Sequence, residues 1–104
     1  MCNKDKKKKA KEYVRLMDIL WKDLDNAINL KGDYRRLGPR CIEDYREAIS
    51  CLSKCYPDRG WEEFDLPFLK GKAAEDLSGE ELYEWRRNVG YIRGYLVNFI
   101  EERK

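Results

Sequence analysis

The chain has 104 residues, with 22 Lys and Arg against 20 Asp and Glu, no His, and four Cys. That length fits one domain, and three Trp, seven Tyr and three Phe within a 42% apolar composition exclude a disordered chain. The missing His removes the commonest general base and transition-metal ligand, and with it any Ser–His or Cys–His nucleophile pair within one chain.

Residues 1–11, MCNKDKKKKAK, hold six Lys and one Asp. Their mutual repulsion predicts a flexible basic arm, able to extend the first helix, ahead of a single helical domain over residues 12–104. No apolar segment follows these lysines and no stretch nears the roughly 18 apolar residues of a membrane span. A cytoplasmic chain is therefore expected, with Cys2, Cys41, Cys51 and Cys55 as thiols.

Residues 12–31 predict a long helix. Val14, Met17, Trp21, Leu24 and Ile28 recur at helical spacing, with Tyr13, Leu20 and Ala27 widening the stripe. Leu16 and Ile19 lie off that stripe, and Gly32 is a plausible stop. Pro39 suits the first turn of a second helix reaching about Tyr56, whose stripe is Ile42, Tyr45, Ile49, Leu52 and Tyr56. Pro57 ends it.

Residues 57–77 are irregular, yet Trp61, Phe64, Leu66, Phe68 and Leu69 are too apolar for a free loop. A folded-back segment with short helical turns, capping the bundle, is expected. Ser78 followed by Glu81 is a capping box that opens a last helix from Gly79 to about Arg103. The fold class is thus all-α: a small bundle of three main helices with a short irregular or helical cap segment, the first two helices antiparallel.

The last helix carries Gly90 and Gly94 one turn apart, each costing about 1 kcal/mol relative to Ala. At 100° per residue, Leu82, Trp85, Val89, Ile92, Leu96, Phe99 and Ile100 form the core stripe. The glycines lie opposite, with Tyr83, Arg87 and Val97, and with Tyr91 and Tyr95 toward one edge. Such a notch admits a backbone or an aromatic ring, either from this chain or from a partner. Tyr83, Arg87, Gly90, Tyr91, Gly94, Tyr95 and Val97, together with Trp61 and Phe64, are the candidate partner-binding residues.

Lys6, Lys7, Lys8, Lys9 and Lys11, with Arg35, Arg36 and Arg40, are candidate contacts to phosphate or to an acidic protein surface. Cys51 and Cys55 stand at i and i+4 on one helix face. A structural zinc needs four ligands, so core or edge thiols are the preferred reading, and no metal, cofactor or catalytic residue is expected. Adjacent acids such as Glu80 and Glu81 point about 100° apart and make poor catalytic pairs.

The segment LSGEELYEWRRNVGYIRGYLVNFIEE, through Ser78, Glu81, Arg87, Gly90, Gly94, Leu96 and Ile100, resembles the C-terminal helix of some small bacteriophage-encoded structural and assembly proteins. Residues 1–77 have no such counterpart. The resemblance implies a component of virion or host cytoplasm that works by binding, often in several copies, and implies no catalytic residue. The expected function is a non-enzymatic interaction module that self-associates or docks on a larger protein. Two alternatives stay open: a nucleic-acid-associated protein using the lysine arm, and an inhibitor or regulator of a host enzyme.

Overall fold

From Asn3 to Leu30 the chain contains neither Gly nor Pro, and it forms one uninterrupted helix, α1 (Asn3–Asn29). The computed structural model describes residues 3–30 and 37–102, and side chains for residues 5–30 and 37–102. Expectations placed on Cys2, Gly32, Arg35, Arg36, Arg103 and Lys104 fall outside these residues. The lysine stretch belongs to α1, and Ala10 within it is fully buried. Met17, Leu20, Leu24 and Ala27 continue the buried face.

Trp21 is a correction to the expected core stripe, for it remains 40% exposed. The reason is that α1 packs against two helices at once. Its buried face is broad, and Trp21 lies on the edge of it rather than at the centre. Leu16 is half-buried against the core, whereas Ile19 stays exposed.

Pro39 occupies the first turn of α2 (Pro39–Cys55), where its missing N–H costs nothing. Tyr45, Ala48 and Leu52 are buried, and Ile42, Ile49 and Tyr56 pack around them, as the spacing predicts. The Tyr56 N–H donates to the Leu52 carbonyl and closes the helix before Pro57.

The last helix, α3 (Gly79–Glu101), begins with the predicted capping box. The Glu81 N–H donates to Ser78 Oγ (3.1 Å), and the Ser78 N–H donates to Glu81 Oε1 (2.9 Å). These bonds and the nearby Lys72 ammonium hold the Glu81 carboxyl below its ordinary pKa. Ser78→Ala removes the cap, and thermal denaturation should register a loss of about 1 kcal/mol.

Antiparallel order is read from the contacts. Along α1, Lys6 and Tyr13 reach Lys54 and Glu47 of α2. Lys7 reaches Glu102, just past the end of α3, and Asp18 and Asp25 reach Arg93 and Arg86 of α3. Rising numbers in α1 therefore meet falling numbers in both partners, and α2 runs parallel to α3. A parallel pair needs a return crossover, which residues 56–78 provide. This is the expected folded-back segment. Its three 3-10 turns, Glu62–Phe64, Pro67–Lys70 and Ala74–Asp76, lay Trp61, Phe64, Leu66, Leu69, Ala74 and Leu77 into the core.

Trp85 and Tyr45 meet edge to face in the centre, ring centroids 6.1 Å apart. The Tyr45 hydroxyl donates to the Phe64 carbonyl (2.5 Å), and α3 contributes one buried polar side chain, Asn88, among the described residues. One core thus ties all three helices and the crossover together. Among the described residues no helix is long and apolar enough to cross a membrane.

Candidate interaction face

The seven residues of the predicted α3 core stripe behave as their spacing demands. Leu82, Trp85, Val89, Ile92, Leu96 and Phe99 are buried and Ile100 is half-buried. Burying a large apolar side chain contributes about 1.5–3 kcal/mol, so this stripe fixes the rotation of α3. The opposite side is then presented outward, with Tyr83, Arg87, Tyr91 and Gly94 all exposed. Arg87 is at its centre, one turn from each tyrosine.

The two glycines have different surroundings. A side chain at Gly90 would meet the Trp21 indole of α1, at 3.8 Å from Nε1. That half of the notch is filled from within the chain. Around Gly94 there is nothing within 4 Å. Its bare backbone is open, flanked by Tyr91 on the same exposed face.

Tyr83 is held in place by its neighbours. The Arg86 guanidinium lies 4.7 Å from the Tyr83 ring and 5.3 Å from the Trp21 ring, a cation between two π faces. Arg86 also pairs with Asp25 of α1, and Arg93 pairs with Asp18. These contacts anchor the rim of the face, and Trp21 and Arg86 belong to it although their sequence positions did not mark them. The available signal was Trp21 at the margin of a two-sided stripe.

Trp61 and Phe64, placed among the partner-binding candidates, are buried at 5% and 4% exposure. They form an aromatic cluster with Tyr56, Tyr95 and Phe99. Arg59 covers it, 4.3 Å from the Trp61 ring and 4.8 Å from the Tyr95 ring, while bonded to Glu63 at 2.8 Å. Tyr95 is consequently half-buried, as is Val97 on the far flank. Of the nine candidates, the open face unites Tyr83, Arg87, Tyr91 and Gly94.

No protein-family model, curated protein or solved structure matches the chain.

The basic candidates do not converge on one surface. Lys6 Nζ donates to the Lys54 carbonyl (3.3 Å) and Lys7 Nζ to the Glu102 carbonyl (2.6 Å). Both acceptors sit at helix C-termini, where the macrodipole is negative and carbonyls lack helical partners. The lysines at the start of α1 thus neutralise the ends of α2 and α3. Lys8, Lys9 and Lys11 remain exposed. Arg40 is exposed at the other end of α2, about 20 Å along the helix from Lys54. It does not extend the lysine cluster.

Proposed function

We propose that this protein is a non-enzymatic interaction module that self-associates through the outer face of α3, as a structural or assembly factor of a phage or other mobile element. The observation that carries the reading is the exposed Tyr83–Arg87–Tyr91 row beside the uncovered Gly94, set opposite a fully packed core stripe. Tyr and Arg are the residue types that dominate interface energetics, and the Arg86 guanidinium that holds Tyr83 lowers the entropy cost of ordering that side chain on binding.

The row is self-complementary. In an antiparallel two-fold pairing of α3 with α3, centred between Arg87 and Tyr91, each Arg87 faces the other copy's Tyr91. The bulky Tyr83 end of each helix then faces the bare Gly94 end of the other. Two-fold symmetry makes every such contact twice. The resemblance of residues 78–102 to small bacteriophage proteins supports a role exercised in several copies.

Light scattering over a range of concentrations tests the reading. The expected mass is twice the 12.5 kDa of the chain. A single-chain mass at every concentration overturns self-association.

A further inference from the structure

We propose that the cleft between the start of α2 and the crossover is a binding site for a small apolar carboxylic acid, its apolar body on the cleft walls and its carboxylate toward the α2 N-terminus. The site uses none of the α3 face residues and stands independently of self-association.

The first turn of α2, residues 69–74 of the crossover and Trp85 of α3 enclose a cleft of about 320 Å³. Leu37, Ile42, Leu69, Ala74 and Trp85 make its walls apolar. Small-molecule sites run from about 300 to 1,000 Å³, so this one takes a free small molecule rather than a protein segment.

Gly38 and Gly71 also line the cleft. Neither has to be glycine for its backbone, since φ is −101° at Gly38 and −149° at Gly71. A side chain at either position would meet nothing within 4 Å. What these two glycines provide is room.

The walls also hold a donor. Trp85 is fully buried, and its Nε1–H has no acceptor among the described residues. Leaving a buried donor unpaired is costly, and most find a partner. Of the buried side chains on the lining, Leu37, Leu69, Ala74 and Trp85, only the indole carries a polar atom. A ligand oxygen supplies the acceptor.

Charge selects an anion. Lys70 and Lys72 line the cleft, and among the described residues no Asp or Glu does. Lys72 is held by Glu81 at 3.1 Å. Lys70 stands 3.7 Å from Asp65 with both side chains more than half exposed. Such a pair is worth little, and its ammonium can turn to a bound anion. The α2 N-terminus adds positive potential: Gly38 offers no side-chain cap, and the first turn has no acid, Glu43 and Asp44 coming only later. A carboxylate gains from both, a neutral amide from neither charge.

The test is titration of the full-length chain with 4-phenylbutyrate, read by proton–nitrogen correlation spectra that give each of the three Trp indole N–H groups its own signal. The Trp85 signal, identified by its loss in Trp85→Phe, should move downfield and saturate, with half-occupancy at about 0.1–1 mM for a ligand of this size. The neutral 4-phenylbutyramide should bind about tenfold more weakly. Gly71→Leu should abolish the shift while circular dichroism keeps the wild-type helix signal, and Gly38→Leu replaces it if that variant fails to fold. Gly94→Leu should bind as the wild type does. A Trp85 signal that stays in place, an amide that binds as tightly as the acid, or unchanged binding in the folded glycine variant overturns the proposal.

Discussion

Gly94→Leu should return the protein to a monomer while making its helix more stable. Gly in a helix interior costs about 1 kcal/mol relative to a good helix former. Nothing lies within 4 Å of the position a side chain would take at Gly94. The substitution therefore relieves a backbone penalty without a clash inside the chain. In the proposed dimer it places an isobutyl group where the other copy's Tyr83 must approach. The two effects have opposite signs, and both are measurable: light scattering should fall to the single-chain mass while the denaturant midpoint of the monomer rises by about 0.5–1 kcal/mol equivalent. A dimer that persists in this variant would show that the α3 face is not the interface. Gly90→Leu is the internal contrast. There the new side chain would meet Trp21 and disturb the Trp21–Arg86–Tyr83 stack, so its penalty falls on the chain's own packing.

Trp85→Ala should leave the fold only marginally stable at ambient temperature. Trp85 is fully buried, the largest such side chain, and meets Tyr45 edge to face. Truncating a buried Trp costs about 3–5 kcal/mol through lost transfer energy and the cavity left behind. Folded domains commonly hold about 5–15 kcal/mol in total, and a small one lies near the lower end. Urea denaturation followed by circular dichroism reads the loss directly. Trp85→Phe should be markedly milder, because the indole N–H has no hydrogen-bond partner among the described residues and the ring contact with Tyr45 survives in reduced form. Equal losses for the two variants would mean that ring packing is not what Trp85 contributes.

Legibility differed between helices for physical reasons. On α2 and α3 the buried residues follow one narrow stripe, and 3-4 spacing located Tyr45, Leu52, Trp85, Val89, Ile92 and Leu96 correctly. On α1 the helix serves two neighbours, so periodicity alone placed Trp21 in the core when it lies on the rim. The crossover resisted most. Its apolar content announced burial, but no local signal distinguishes an aromatic that fills its own core from one that waits for a partner. Trp61 and Phe64 were therefore read as interface residues, although Arg59 and Tyr95 enclose them.

The lysine run teaches the same point. Composition predicted a flexible basic arm able to extend the first helix, and the stretch does extend α1. What composition did not predict is that antiparallel packing sets Lys6 and Lys7 beside the carbonyl ends of two other helices, where positive charge is favoured. The relation spans Lys7 and Glu102 and cannot be read from either segment alone.

By itself, the sequence determined that the chain is helical, where α2 and α3 begin, which face of each is buried, and that Gly90 and Gly94 share the face opposite the α3 core. These properties depend on local propensity, capping and the period of apolar residues, all of which act within a few turns. Only the tertiary structure decided that Trp21 fills the Gly90 half of the notch and leaves Gly94 open. It alone turned Trp61 and Phe64 inward and brought Lys6 and Lys9 of α1 to the groove lined by Cys51 and Cys55. Those outcomes depend on which helices become neighbours and in what direction, and that choice is made by the whole core at once.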